Sequence, residues 1–253
     1  MTIRGTLSPD QLGFSIPTGS PPYSETAARH YVDVDILRFD YLSDASAVAK
    51  LLPDVLEIDE SPRAYLTFNR FGFSNAGCYL EVVQGLECYH KGEKAYFAVR
   101  MYMNSDTPMI TGREWFGIPK LGGVVHFDPG QTSSLLSGRL ERPAGIALAS
   151  GVMRPDEYLG SAPKTVRYNW GLRVLPAPSP AQRPIRELIR YKMETEGGSV
   201  WSGVGSPHFT GASAVDPFEA VPILEARKST YFRGLRMSME ATGEVIELES
   251  GNR

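Results

Sequence analysis

The chain has 253 residues, 42% hydrophobic and 22% charged, which suffices to bury a substantial core, and no Pro/Ser/Gly-rich linker divides it, so one domain over 1–253 is expected. A formal net charge of -3 with scattered basic residues leaves no electrostatic footprint for nucleic acid or an anionic membrane. No apolar run is long enough to span a bilayer, and the start Met1-Thr2-Ile3-Arg4-Gly5 lacks the apolar segment of a secretory signal, so a cytoplasmic protein is expected.

Residues 1–30 are rich in Pro, Gly, Ser and Thr and predict an irregular arm wrapping the body. Tyr31 to Tyr41 alternates β-branched or aromatic residues with polar ones, the pattern of a strand. Ser43-Asp44 offers an N-cap for a short helix over Ala45 to Leu52, stopped by Pro53. Consecutive strands are then predicted at Ala64 to Phe73, Cys78 to Glu87, Ala95 to Met103 and Gly122 to Phe127. Further strands are predicted at Ser134 to Leu140, Ile146 to Met153, Thr165 to Val174, Ile185 to Thr195, Ser199 to Ser202 and Leu235 to Leu248. Ile185 to Tyr191 also suits the start of a helix, and Pro176 to Pro184 reads as a long turn. The spacing suits an all-β sheet or barrel.

Several chemistries find no footing. Cys78 and Cys88, ten positions apart with no second pair, read as reduced thiols rather than zinc ligands. His30, His90, His126 and His208 show no metal-ligand spacing, so no metal is expected. Phosphate-loop and nucleophile-elbow motifs are absent, and Gly203 and Gly205 lack the third glycine of a dinucleotide fingerprint. What stands out is Gly112 to Gly123, where Lys120 sits among glycines, aromatics and a proline in an apparent apolar turn. Folding that desolvates this amine lowers its pKa and makes it a nucleophile, whereas a lysine pointing into water is the simpler alternative. Imine chemistry also needs a carboxyl group to shuttle protons. Tyr79 and Glu81 are two apart on a predicted strand and therefore share a face, which either lines a pocket or faces solvent. The acidic run Glu57 to Glu60 reads as a solvated loop.

Taken together, Leu56-Glu57-Ile58-Asp59-Glu60, Gly77-Cys78-Tyr79-Leu80-Glu81 and Gly112-Arg113-Glu114 leading to Pro119-Lys120 resemble the acetoacetate decarboxylase superfamily, in order and in spacing. Trp201-Ser202-Gly203 and Pro222 to Ala226 extend the resemblance over nearly the whole chain. It implies a mainly β (α+β), antiparallel barrel-like or cone-like fold with few short helices, and a homo-oligomer. It also implies that Lys120 forms the Schiff base, that Glu81 is the essential acid, that Tyr79 and Phe116 contact substrate, and that the covalent imine takes the place of a cofactor. Three departures stand against acetoacetate itself as substrate. The family's second lysine, a cationic neighbour that activates the first, is Leu121 here, so burial would have to activate Lys120, and a leucine would assist it. The second pocket glutamate falls on Leu66, and the arginine that serves the substrate carboxylate falls on Val34. Arg29 recovers that role only with an insertion after it, which breaks the strand match at Tyr31 to Tyr41.

The resemblance and the residues together point to a carbon–carbon lyase acting through an imine on a small oxo acid, either decarboxylating a β-keto acid or condensing pyruvate or a related oxo acid with an aldehyde. A small-ligand-binding barrel with an inert Lys120 is the alternative of a different class.

Overall fold

Alternation along one strand decides which of two cores each side chain joins. In the computed structural model, which describes residues 2–25, 28–131, 133–211 and 213–248, the second strand, β2 (Arg63–Ser74), buries Leu66 and Phe68 on one face and Tyr65, Asn69 and Phe71 on the other. It pairs antiparallel with β1 (Ala28–Leu42) and β3 (Tyr79–His90), and β3 pairs with β4 (Glu93–Met103). Two long strands, β8 (Ala147–Leu175) and β9 (Ile185–Phe209), form a hairpin, and β11 (Ser229–Glu247) joins β9 to β1. A short parallel pairing of β8 with β4, Tyr96 to Asn169 and Phe97 to Trp170, closes these seven strands into a ring.

β4 shares that same edge with β5 (Lys120–Gly122), whose Lys120 lies beside Met101 in parallel register. β6 (Val124–Asp128) and β7 (Leu136–Glu141) continue from β8 and lie over the outer face of the ring, burying Leu37, Phe39, Leu66, Phe68, Val82 and Leu140. Fully buried leucine or phenylalanine side chains there contribute roughly 1.5–3 kcal/mol each. The two-residue β10 (Glu225–Ala226) pairs with the end of β1. Helices are few: α1 (Ala45–Ala49), capped by Asp44 accepting from the Ala47 amide at 2.7 Å, and α2 (Asp106–Phe116).

A mainly antiparallel β fold with few helices is therefore what the strand spacing and the resemblance predicted, with a ring of strands in the place of the expected barrel. Several details differ. The separately predicted strands at 146–153 and 165–174 are one strand interrupted by bulges, and those at 185–195 and 199–202 are likewise one. Glycine and proline inside them bend the sheet without ending it. The helical alternative at Ile185 is not realised, because β8 and β11 take both edges of β9. α2 was not foreseen. Of the irregular arm expected over 1–30, residues 28–30 instead begin β1; the described part before them is irregular apart from a 3-10 turn at Pro9–Gln11, and it docks on α2 through Tyr23 to Glu114 and through Thr107 Oγ1 donating to the Pro22 carbonyl at 3.1 Å.

Cys78 and Cys88 are free thiols, one exposed and one buried. Burial pushes the Cys88 thiol up to about 12, so at pH 8 its thiolate fraction is on the order of one in ten thousand. An aromatic disulfide reagent should label one thiol per native chain and the second only on unfolding; two fast native labels would contradict this packing. Among the described residues no helix is long and apolar enough to cross a membrane, and no group of three His, Cys, Asp or Glu side chains is placed to hold a metal.

Candidate active site

The stretch read as an apolar turn is, in its first half, the end of α2. Thr107, Pro108, Thr111 and Gly112 are poor helix formers, so the helix is held by tertiary packing, with Thr111, Gly112 and Phe116 buried. Asp106 in the first turn complements the helix dipole, and Pro108 is tolerated there because the first turn has no intrahelical acceptor for its missing N–H. Gly117 ends the helix in the left-handed region at φ 63°, and the Ile118 amide donates back to the Gly112 carbonyl at 2.9 Å. The chain then turns into β5 and sends the Lys120 side chain inward, under the helix.

Gly112 makes room for it. A Cβ at Gly112 would stand 2.4 Å from Lys120 Cδ and 2.6 Å from Cε, closer than any packing allows. Lys120 is 4% exposed, and its Nζ lies 3.1 Å from Glu81 Oε2. The carboxylate is buried too, and its other oxygen accepts from Asn69 Nδ2 at 3.3 Å. The ring of Tyr79 lies 5.7 Å from Nζ, as expected for a residue sharing the Glu81 face of β3. Burial, with the nearby Tyr31 and Glu81, pushes the Tyr79 hydroxyl well up, and Tyr31 is raised mainly by burial, so both are protonated hydrogen-bond donors at neutral pH.

Arg29 belongs to this cluster. It is buried near Tyr23, Tyr31 and Tyr79, its guanidinium 5.7 Å from the Tyr23 ring, and burial lowers it from its ordinary value without removing its charge. β1 runs from Ala28 with irregular register against β11 between Tyr31 and Val34 and again between Val34 and Ile36, and Asp33 sits at φ 54°. β1 thus holds both Arg29, opposite Met239 of β11, and the predicted stretch Tyr31 to Tyr41, which keeps one register with β2.

Glu81 lines a cavity of about 300 Å³ inside the ring, to which all seven strands contribute, with Asn69, Met101, Arg167, Tyr191 and Met237 among its walls. Such a volume lies at the lower end of the range for small-molecule sites. Lys120, Glu81, Tyr79 and Arg29 are thus brought together. Of the residues expected at the site only Glu81 lines the cavity itself; Lys120, Tyr79, Arg29 and Phe116 are buried and not among its lining residues, Phe116 packing against the lining Tyr191 with the two rings 5.6 Å apart. Leu121 is also displaced from its expected part. Successive residues of a strand point opposite ways, so with Lys120 inward Leu121 is 37% exposed and cannot help bury the amine. Leu66 faces the outer core, away from the cavity, and Val34 is buried in the inner one.

Sequence reasoning missed Asn69, Tyr191 and Arg167. Asn69 was findable, since Tyr65, Thr67, Asn69 and Phe71 form the second face of a strand whose first face is Leu66 and Phe68. Arg167 and Tyr191 come from elements far along the chain, and their convergence is a product of ring closure. The acidic run lies outside as expected, with Glu57, Asp59 and Glu60 exposed.

The site is thus defined by a buried lysine and a buried glutamate in contact at the wall of a closed ring of strands. The acetoacetate decarboxylase (ADC) family model matches residues 15–244, and the chain belongs to that family. Decarboxylase DEC1 of Cochliobolus heterostrophus is 31% identical over 242 residues, covering 92% of this chain and 95% of the relative. Acetoacetate decarboxylase of Chromobacterium violaceum is 26% identical over 230 residues, 88% of this chain and 90% of the relative. In structure the chain is similar to a solved acetoacetate decarboxylase, with a TM-score of 0.81 at 21% identity, covering 98% of this chain and 100% of that one. It is also similar to the enduracididine biosynthesis enzyme MppR complexed with the condensation product of pyruvate and imidazole 4-carboxaldehyde, with a TM-score of 0.77 at 19% identity over 96% and 98% of the two chains.

Proposed function

We propose that the protein is a carbon–carbon lyase that forms a Schiff base on Lys120 with a small oxo acid and decarboxylates it as a β-keto acid. The observation that carries this is the 3.1 Å contact between two buried groups, Lys120 Nζ and Glu81 Oε2. Handing a proton from Nζ to Glu81 produces the neutral amine that attacks the ketone carbon. Glu81 then protonates the carbinolamine oxygen, water leaves, and an iminium forms. The bond to the carboxylate carbon breaks, carbon dioxide departs, and the electron pair flows to the iminium nitrogen as an enamine. Protonation at carbon and hydrolysis release the ketone and restore Lys120. The iminium is the electron sink, so the scheme calls for no cofactor. Arg29 and Tyr79 orient the reacting carboxylate, and Asn69 keeps the Glu81 side chain in place.

The relatives named as decarboxylases support loss of carbon dioxide. A second outcome has its own support. The exposed Leu121 and outward Leu66 leave the pocket without the family's second lysine and second glutamate, and the MppR complex holds a pyruvate condensation product on a similar fold. In that outcome the enamine of pyruvate adds to an aldehyde and water is lost.

Borohydride reduction in the presence of acetoacetate or pyruvate should leave a mass increment mapped to Lys120. No adduct with a panel of oxo acids would sink both outcomes. Carbon dioxide release from acetoacetate, compared with consumption of pyruvate plus an aromatic aldehyde, separates them. Glu81→Gln should slow adduct formation by about 10²–10⁴-fold, because it removes the proton carrier while keeping an acceptor oxygen for Asn69. An unchanged rate would remove Glu81 from this part.

A further inference from the structure

Arg167 stands in the cavity wall without a counter-charge. Its side chain projects from β8 between Thr165 and Asn169, which line the cavity with it. The guanidinium carbon lies 4.6 Å from the ring centroid of Tyr96 and 6.0 Å from that of Tyr65, and its Nη2 donates weakly to Met193 Sδ at 3.7 Å. Among the described residues no carboxylate is in ion-pair reach of it. The other arginine of the lining, Arg38, contrasts with it. Arg38 lies 4.3 Å from the same Tyr65 ring but donates from Nε to Asp40 Oδ1 at 2.8 Å and places Nη2 2.7 Å from that oxygen. Glu81, the lining carboxylate, is already paired with Lys120. The wall therefore keeps one positive charge in surplus, framed by aromatic faces and the buried Asn169. A planar guanidinium so placed matches a carboxylate in two parallel hydrogen bonds.

That carboxylate cannot be the reacting one. In a β-keto acid the departing group lies two bonds from the imine carbon, and in pyruvate one bond, so both must sit at Lys120 and Glu81. Tyr65, whose ring centroid lies 6.0 Å from the Arg167 guanidinium carbon, is four positions along β2 from Asn69, the partner of Glu81, and four residues of strand span roughly 13 Å. Between the two ends the lining turns apolar at Val83, Ala98, Met101 and Met193. We infer that Arg167 binds a second carboxylate at the far end of the substrate, so that the cavity selects an oxo dicarboxylic acid whose methylene chain lies on these residues. Its place in turnover rests on Lys120 forming the imine, but binding at Arg167 does not.

Titration calorimetry with saturated acids, which have no ketone and form no imine, tests the site by itself. Straight-chain dicarboxylates of five to nine carbons should include one that binds at least tenfold tighter than the monocarboxylate of equal length. Arg167→Gln should bring that ratio close to one, and Arg167→Lys, which keeps the charge without the planar fork, should leave a ratio between the two. Circular dichroism confirms that each variant is folded. Equal affinity for both kinds of acid, no binding of either, or a ratio unchanged in Arg167→Gln overturns the assignment. Borohydride trapping of a panel of oxo monocarboxylic and dicarboxylic acids by the unaltered protein is read separately. Its failure removes the imine and leaves a measured dicarboxylate preference standing, whereas a missing preference with trapping intact removes Arg167 alone.

Discussion

Lys120→Ala is expected to end borohydride-trappable adduct formation and to destabilise the fold by about 3–5 kcal/mol, because it leaves Glu81 buried opposite no cation. The two losses have different origins. The adduct fails because the nucleophile is gone; the stability falls because Glu81 was desolvated on the strength of its partner. Chemical denaturation should show the midpoint moving with an unchanged slope. Neutralising both members in Lys120→Met with Glu81→Gln should recover much of the stability and none of the chemistry, since a buried pair replaced by neutral groups is often tolerated. If the single variant unfolds at the same midpoint as the parent, Glu81 does not depend on the amine in the folded protein.

Gly112→Ala should lower the rate of adduct formation about a hundredfold with the helix retained. Taken as an isolated helix position, this change gains roughly 0.5–1 kcal/mol from backbone propensity. The added methyl must nevertheless occupy space 2.4 Å from Lys120 Cδ, and Lys120 has little freedom to withdraw because it is almost fully buried. Overpacking of this kind costs about 1–3 kcal/mol, so the net effect on stability is a modest loss. The larger effect is positional, since misplacing a reacting group by an ångström can cost two orders of magnitude in rate. Circular dichroism and the adduct rate should therefore part company; a full-rate variant would show that the amine is not held by this contact.

Much of the architecture was legible because β-strands advertise their faces. Aromatic and β-branched runs between turns announced β2 and β3, the period of two placed Tyr79 and Glu81 together, and the structure turns that shared face toward Lys120. The turn residues 176–184 marked the β8–β9 hairpin in the same way. What local pattern could not carry was anything decided by packing against distant chain. α2 is built from residues of weak helix propensity and exists because its buried side meets β5, β8 and β9. Arg29 fell in a stretch read as an irregular arm, and only pairing with the distant β11, Arg29 opposite Met239, makes it part of β1. Leu121 was misjudged for a simpler reason. Apolar neighbours in sequence look like burial, while strand geometry sends adjacent side chains to opposite sides.

The amine and the cavity are carried by different parts of the molecule. Lys120 is supplied by the helix end and the short β5 on the free half of the β4 edge, whereas the surfaces that would meet the body of a substrate belong to the seven strands of the ring. Substitutions at Thr67, Ala98, Arg167 or Met193 can thus reshape what the cavity accepts without disturbing the glycine, the helix cap or the register that aim the nucleophile. Chemistry and selectivity are separable here, and a chain with this plan can change its substrate by small steps while the amine stays still.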